Sequence, residues 1–339
     1  MLEAQQLSIH VASTNSLTRR PDFLASLEAQ TVPAYQVISI ELGSAPGADT
    51  SEYEMMRPEL VRLRTFRNFG VVRGQNQAIT LALSRWARSD WSERFIVLSR
   101  PEVVFDRRAC EGILQAFMAD PGLMIAGPKV FWAEPVLQTE GNWVELSCEN
   151  QLYAAGIGLT RGRSLVLLGH NQVDDGSFDT GQGVLALSDA CVVIRASALE
   201  SLALFENVWL DPRLPPFFAV MDLCWRAAKQ GMRSKLLPDV RVWFAPQEQS
   251  RQAKPKWRQL YVPGVLRKHT DDLGLRLVHA PWLLSSWLRY RVSKAFAGAF
   301  WEARIKPEAG AEGSLPDLKF ERRPAKAVPF AERRQWFIS

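Results

Sequence analysis

The feature that most constrains the fold is the alternation, through the first half of the chain, of short β-rich runs with stretches of helical periodicity. Five such runs predict strands at residues 7–12, 37–42, 61–65, 95–98 and 123–126. Between them, apolar residues recur at i, i+3, i+4 and i+7, first in Ile79, Ala82, Leu83 and Trp86 and then in Cys110, Ile113, Leu114 and Phe117. Each of these segments presents one apolar stripe to a sheet, so the pattern predicts an α/β, Rossmann-like fold with crossover helices.

The second half of the domain is less regular. Residues 152–184 are rich in glycine and carry no helical stripe, which predicts loops and hairpins. Strands are expected at 190–195 and 240–244. Between them, the apolar stripe of Met221, Cys224, Trp225 and Ala228 predicts a helix. We expect Gly231 to end that helix as a left-handed cap.

The composition changes after residue 246 and sets the predicted domain boundaries. The chain has 339 residues, 47 % of them hydrophobic, which suits one large domain with an appendage. We predict a domain at 1–246, a polar linker with prolines at both ends at 247–256, an amphipathic basic helical extension at 257–305, and an extended or poorly ordered tail at 306–339.

Charge separates the extension from the domain. Residues 251–339 hold 18 Lys and Arg against 8 Asp and Glu, whereas residues 1–250 hold 23 against 28. Trp282, Trp287 and Trp301 lie among Arg289, Arg291 and Lys294. Two interpretations remain open for residues 257–304: they bind a membrane surface or a membrane-bound partner, or they form a basic appendage packed on the domain. The aromatic residues fit no nucleic-acid-binding motif, so we do not expect nucleic acid as a partner.

Other classes of protein are disfavoured by what the sequence does not contain. It has no leader-like N-terminus and no uninterrupted apolar window of membrane-spanning length, which predicts a cytoplasmic protein, peripheral at the inner face of the membrane if the extension binds lipid. The four cysteines lie far apart and indicate small buried side chains. The four histidines show no metal-ligand spacing, and no Ser or Cys nucleophile motif is present.

Several short motifs fall at the predicted strand ends and helix starts. They are Ala12-Ser13-Thr14-Asn15-Ser16, Ile40-Glu41-Leu42-Gly43-Ser44, Asn68-x-Gly70-x-x-x-Gly74-x-Asn76, Ser188-Asp189-Ala190 with the strand to Arg195, and Asp222-Leu223-Cys224-Trp225-Arg226. Their order and spacing resemble family-2 glycosyltransferases, particularly the rhamnosyltransferase-like branch that builds bacterial surface polysaccharides. The resemblance covers residues 7 to about 246.

The resemblance implies a GT-A fold, with a mixed sheet flanked by helices, and a site at the carboxyl ends of its strands. The residues that it implies for nucleotide binding are Thr14, Asn15, Glu41, Ser44, Asn68, Gly70, Gly74 and Asn76. Those implied on the acceptor side are Asp189, Asp222, Trp225 and Arg226. For Asp222 and Arg226, four residues apart on one helix, a purely architectural ion pair is the alternative.

Three positions depart from the family pattern where its chemistry is expected. The pair that supplies the family's base is Ala219-Val220, neither of which can accept a proton. The strand end that binds metal and diphosphate in the family is Arg100-Pro101-Glu102, so a guanidinium stands beside the remaining carboxylate. The late His position of the family is Phe244. No cofactor is therefore expected, and Mn or Mg would bind only if Glu102 still serves as a ligand.

Two functions follow from these departures. One is a catalytically degenerate protein that binds a nucleotide sugar and acts as a scaffolding or regulatory subunit of a surface-polysaccharide system, with a partner protein of that assembly. The other is an active, metal-independent enzyme that moves a sugar to a glycan or lipid-linked acceptor, in which Arg100 stabilises the diphosphate. Its base would then be another carboxylate, such as Asp174, Asp175 or Asp179 in the glycine-rich region. Losses of catalytic groups each cost on the order of 10² to 10⁴ in rate, which favours the first function.

Overall fold

The structure is a computed structural model. It describes residues 6–14, 21–43, 59–137, 144–160, 165–179 and 184–245, together with residues 265, 268, 269, 281, 337 and 338. Asn15, Ser44 and the proposed linker lie outside these ranges, and so do Trp282, Trp287 and Trp301 of the extension. The predicted boundaries beyond residue 246 therefore stay predictions.

The described elements begin with an alternation of strands and helices. In chain order, the first half contains β1 (Leu7–Ser13), α1 (Pro21–Glu28), β2 (Gln36–Leu42), β3 (Glu59–Thr65), α2 (Val71–Arg85), a 3-10 turn (Arg88–Glu93), β4 (Phe95–Ser99), β5 (Val103–Phe105) and α3 (Ala109–Ala119). The second half contains β6 (Leu123–Leu137), β7 (Val144–Ala154), β8 (Ile157–Thr160), β9 (Leu165–Leu167), β10 (Cys191–Arg195), a 3-10 turn (Ala196–Ala198), α4 (Leu199–Leu202), α5 (Pro216–Lys229), β11 (Arg233–Phe244) and β12 (Phe337–Ile338).

Within the described residues, nine strands form one mixed sheet in the order β3-β2-β1-β4-β10-β6-β11-β5, with β7 added to β6. Strands β3, β2, β1 and β4 are mutually parallel, whereas β10 runs antiparallel to both of its neighbours. A smaller sheet joins β12, β8 and β9. The predicted α/β fold with crossover helices is confirmed.

Two buried clusters cover the two faces of the large sheet. On one face, Ile38, Ile40 and Leu42 of β2 pack with the α2 stripe around Ile79 and with α5. On the other, Val37 of β2 packs with α1 and α3. Because successive strand residues point to opposite faces, each strand contributes to both clusters.

Helix α2 approaches the sheet closely because of Gly74. A Cβ built at this glycine would lie 2.9 Å from the Cβ of Ala12 and 3.4 Å from side-chain carbons of Ile40 and Leu42. A larger side chain at Gly74 would therefore push the helix away from β1 and β2. The glycine that the sequence motif placed near a ligand serves helix packing at this position.

Two strands are longer than predicted. Strand β6 pairs with β11 as far as Trp132 and continues to Leu137 by pairing with β7. Strand β11 begins at Arg233 instead of residue 240. A shift of register between Leu237 and Arg241 interrupts the β11 pairing. This irregularity, with Pro238 and Asp239 inside the strand, obscures its period-2 pattern.

Gly231, just beyond the end of α5, has φ 75°, the left-handed conformation predicted for it.

Three residues of the predicted extension are described in contact with the domain. Val265 is 1 % exposed and belongs to the cluster formed by α2 and α5, and His269 is 6 % exposed. Lys268 forms ion pairs with two buried carboxylates. These three side chains contact the domain, while both interpretations of residues 257–304 as a whole stay open. Among the described residues, no helix is long and apolar enough to cross a membrane.

The contact at Gly74 gives a test of this packing. We expect Gly74→Ala to lower the free energy of unfolding by about 1 kcal/mol, because overpacking costs about 1–3 kcal/mol and alanine returns up to about 1 kcal/mol of helix propensity. Urea denaturation measures the change. The matched variant Ala12→Gly removes the opposing methyl, so the double variant should be more stable than the two single losses added together. A stabilising Gly74→Ala would contradict the close approach.

Candidate functional site

The candidate site lies along one edge of the sheet, where β2, β1 and β4 end side by side. In the β1–β2 pairing Ser13 is opposite Glu41, and in the β1–β4 pairing Val11 is opposite Ser99, the residue before Arg100. Two strand spacings separate the β2 and β4 ends, about 10 Å. The order β3-β2-β1-β4 reverses the direction of chain progression between β1 and β4, and such a switch point is where open α/β sheets bind ligands.

Glu41, at the β2 end of this edge, is 3 % exposed and paired with Arg62. Arg62 Nη2 lies 2.7 Å and Nε 3.2 Å from the same oxygen, Glu41 Oε1. Strand alternation puts this carboxylate on the sheet face covered by α1 and α3, opposite the face covered by α2. A nucleotide that contacts both Glu41 and the α2 loop would have to lie across the carboxyl edge.

The glycine-rich loop before α2 is open where it reaches the helix start. Asn68 Oδ1 accepts a hydrogen bond from the Gly70 amide at 2.9 Å, and Gly70 has φ 95°, a conformation that favours glycine. A Cβ at Gly70 would meet nothing within 4 Å. The first turn of α2 holds no acidic residue, so its free N–H groups and the helix dipole favour an anion there.

Asn76 is directed into the protein. Its Nδ2 donates to the Leu210 carbonyl at 2.8 Å, and its Oδ1 accepts from the amides of Trp209 and Leu210, each at 3.0 Å. The side chain is buried, and these bonds join α2 to the loop before α5. Its proposed role in nucleotide binding stays a prediction, with a structural role now visible beside it. Thr14 is exposed at the end of β1.

Arg100, at the β4 end of the edge, lies between two carboxylates. Its Nε donates to Glu102 Oε2 at 3.2 Å, and its Nη1 lies 3.8 Å from Asp189 Oδ2. Burial alone would lower the pKa of Arg100, but the neighbouring charges of Asp189 and Glu102 raise it overall. The structure thus brings the predicted diphosphate position together with Asp189, which the sequence placed on the acceptor side.

Phe244 completes this arrangement. The Arg100 guanidinium lies over the Phe244 ring, 4.7 Å from its centroid, a cation–π geometry. In the sequence, positions 100 and 244 count as separate departures from the family pattern. In the structure the two side chains are in contact, so the two departures are physically linked. The roles that the resemblance assigns to these positions stay predictions.

An aromatic cluster lies next to Arg100, and no sequence motif indicated it. Tyr153 packs on Phe244 with 4.8 Å between centroids, and Trp132 packs on Tyr153 at 4.9 Å. His170 Nδ1 is 2.8 Å from the Tyr153 carbonyl oxygen, and Trp132 Nε1 donates to Asn171. The four rings come from distant parts of the chain, which is why spacing in the sequence gave no signal.

The family's base positions are filled by the hydrophobic core. Ala219 is 0 % and Val220 1 % exposed, both in the cluster shared with α2. Neither side chain has an atom that could accept a proton, and the assignment of the base to these positions stays a prediction.

The alternative bases in the glycine-rich region are engaged elsewhere. Lys129, with a side chain 2 % exposed, lies 2.8 Å from Asp174 Oδ1 and also pairs with Asp179. Asp175 is exposed, and hydrogen bonds from Ser177 lower its pKa. Asp174 and Asp179 are engaged by Lys129, and the lowered pKa of Asp175 makes this carboxylate a weaker proton acceptor, so the three side chains are poorly suited to the role.

Asp222 is the centre of a buried ionic cluster. It is 0 % exposed, and its carboxylate lies 2.9 Å from Arg226 Nε, 2.7 Å from Lys268 Nζ and 2.8 Å from His269 Nε2. Although burial raises its pKa, these partners lower it well below the usual range. Trp225 stacks on His269 at 4.7 Å with 6° between the rings. These contacts favour the architectural alternative for Asp222 and Arg226.

Comparison with solved structures identifies the fold. A structure of GalNAc-T7 with UDP, GalNAc and Mn2+ matches 86 % of this chain with a TM-score of 0.54 and 10 % identity, and the match spans 58 % of that chain. S. aureus TarS 1-349 matches 90 % of this chain and 76 % of its own with a TM-score of 0.46 and 13 % identity, and its complex with UDP gives 0.45 and 11 %. No protein-family model matches the sequence, and no curated protein is similar to it in sequence.

The chain therefore has the fold of the GT-A glycosyltransferases. Within that fold, the residues of this chain do not fit a divalent cation at Glu102. A protonated guanidinium already lies within ion-pair distance of both nearby carboxylates, and the ring of Phe244 offers no ligand atom.

Asp211 permits a test of the ionic cluster that holds the loop before α5. Hydrogen bonds from Arg213 and Lys268 outweigh burial and lower the pKa of Asp211 from 3.8 to about 2. Because the folded-state pKa lies below the unfolded one, the stabilisation is complete above about pH 4 and is lost as the pH falls towards 2. We expect Asp211→Asn to cost about 2 kcal/mol at pH 7 and much less near pH 2, measured by denaturant titration. The exposed-residue control Asp239→Asn should change little, and an equal cost of Asp211→Asn at both pH values would contradict the assignment.

Proposed function

We propose that this chain binds a nucleotide sugar, or its nucleoside diphosphate, without a divalent cation, and that it has lost glycosyl-transfer chemistry. It then acts as a binding, scaffolding or regulatory subunit, and the family-2 resemblance suggests a bacterial surface-polysaccharide system as its context. The observation that carries the proposal is the Arg100 guanidinium held between Glu102 and Asp189 over the Phe244 ring.

The electrostatics of that arrangement disfavour a metal. Two unit charges 4 Å apart interact by about 4 kcal/mol near a protein surface, so repulsion from Arg100 would cancel about 8 kcal/mol of the attraction that Glu102 and Asp189 exert on a dication. Glu102 and Asp189 attract either cation, but Arg100 is part of the chain and does not have to be bound from solution. The arginine is therefore favoured over a metal ion at this position.

Arg100 also has the geometry to bind a diphosphate. Its Nε donates to Glu102, while Nη1 is beyond hydrogen-bond distance from Asp189. Its terminal N–H groups can therefore donate to phosphate oxygens in the forked geometry that favours arginine over lysine. The edge near Glu41 would hold the nucleoside, about 10 Å across two strands from Arg100, and the diphosphate would extend from the N–H groups at the α2 start towards the guanidinium.

Loss of chemistry is supported by the position of the family's base. Inverting transfer requires removal of the acceptor proton, and Ala219 and Val220 are apolar and buried. The proposed substitutes Asp174 and Asp179 are bound to Lys129. These contacts favour a binding protein over an enzyme.

Calorimetric titration with UDP, the nucleotide of the GalNAc-T7 structure, tests the proposal; GDP and TDP test its base selectivity. We expect UDP to bind in the presence of a metal chelator, and we expect added manganese to change its Kd less than twofold. Arg100→Ala should weaken binding at least tenfold, because it removes the fixed cation. Arg241→Ala is the matched control, since this arginine also lies over an aromatic ring, that of Phe131 at 5.4 Å. Tenfold tighter binding with manganese would make Glu102 a working ligand and overturn the metal-free assignment.

The active, metal-independent transferase is the second candidate, favoured by the position of Arg100 against a departing diphosphate. This candidate predicts that UDP is released from a UDP-sugar when an acceptor glycan is added, even in the presence of a metal chelator. The degenerate function predicts binding without turnover. Turnover that Arg100→Ala abolishes and Arg241→Ala retains would establish the second candidate in place of the first.

A further inference from the structure

Three residues beyond the GT-A domain, Val265, Lys268 and His269, form what we call the clasp. Their spacing of three and four residues puts them on one side of a helical turn, and all three are described as helical. Val265 enters the core cluster shared by α2 and α5. The clasp thus reaches the domain with one apolar and two polar side chains at once.

Lys268 joins two carboxylates from different elements. Its Nζ lies 2.9 Å from Asp211 Oδ2, in the loop before α5, and 2.7 Å from Asp222 Oδ1, on α5 itself. Both carboxylates are buried, at 2 % and 0 % exposed. Removing the ammonium would leave two buried negative charges with less compensation, so this contact contributes strongly to holding the loop against the helix.

His269 secures the clasp by a second contact. Its Nε2 lies 2.8 Å from Asp222 Oδ1, and its ring stacks on Trp225. Burial lowers the pKa of His269 despite Asp222, so the neutral ring donates this hydrogen bond. The stacking and the hydrogen bond fix the orientation of the same turn that carries Lys268.

The loop held by Lys268 is the one that Asn76 binds. Trp209 and Leu210, directly before Asp211, exchange three hydrogen bonds with the Asn76 side chain. Asn76 lies six residues after Gly70, in the second turn of α2. A continuous set of contacts therefore runs from the clasp through the 209–211 loop to the helix whose start faces the candidate nucleotide site.

We propose that clasp docking and nucleotide binding are coupled: the docked clasp holds the 209–211 loop, the loop holds α2 through Asn76, and the start of α2 is thereby kept in its anion-binding position. The proposal rests on nucleotide binding at that helix start. Coupling of this kind is reciprocal, so bound nucleotide should also stabilise the docked clasp.

Hydrogen exchange and UDP calorimetry on the full chain test the coupling. Lys268→Met keeps the length of the side chain and removes its charge, Lys268→Arg restores the charge, and Lys235→Met removes an exposed lysine of β11 as the matched control. We expect Lys268→Met to speed amide exchange at least tenfold in peptides covering both 205–214 and 71–79, and to weaken UDP binding about fivefold to tenfold. Lys268→Arg should recover most of both effects, and Lys235→Met should show neither.

Each outcome decides a separate point. Faster exchange confined to 205–214, with 71–79 unchanged, would overturn the contact path to α2, whether or not UDP binds. Faster exchange in both regions with wild-type UDP affinity would overturn the coupling. A wild-type chain that binds no UDP would refute the proposed function, while exchange would still decide the path. If Lys268→Met does not unfold cooperatively, His269→Gln, which keeps a donor for Asp222 and loses the stacking on Trp225, should give the same changes at smaller size.

Discussion

A carboxylate without solvent contact organises the half of the molecule that surrounds α5. An uncompensated charge at Asp222 would cost several kcal/mol, so the fold must bring cations to it. Arg226 comes from the same helix and also binds the carbonyls of Leu202 and Trp209, which fixes α4 and the loop before α5. The clasp supplies a second cation, Lys268, and a hydrogen bond from the neutral ring of His269. The position of the loop, and through Asn76 that of α2, thus follows from the need to compensate one buried charge.

The second organising interaction is that of Arg100 with its neighbours. A cation at this edge of the sheet needs anions beside it, which Glu102 and Asp189 provide. It also needs a neighbouring surface that does not compete for those carboxylates, which the Phe244 ring provides. A histidine in place of Phe244 would present a second cation or a competing hydrogen-bonding group to the guanidinium. Arg100 and Phe244 are physically complementary, which a comparison of single sequence positions could not show.

The sequence predicted best those elements whose apolar residues all face the buried core in one regular pattern. The α2 stripe faces one core cluster, and the β1, β2 and β4 runs are buried on both faces, so period and length identified them. Strand β11 was predicted too short because a register shift and a proline interrupt its alternation of buried and exposed residues. Asn76 shows a different limit: its motif is local, but its hydrogen bonds go to residues more than 130 positions away. The aromatic cluster beside Arg100 likewise depends on strand pairing, which no local pattern encodes.

Whether such a site binds or catalyses depends on when its interactions are strongest. A group accelerates transfer only if it stabilises the transition state more than the bound substrate. A fixed guanidinium attracts the diphosphate of the intact nucleotide sugar as well as the diphosphate that leaves, so much of its interaction is already present in the ground state. With a base, the remaining stabilisation of the transition state would contribute to turnover; without one, as we propose for Ala219 and Val220, only the ground-state attraction remains, and it contributes to affinity. In the proposed function, an arginine in place of a metal and the absence of a base therefore act in the same direction, towards a protein that retains its ligand.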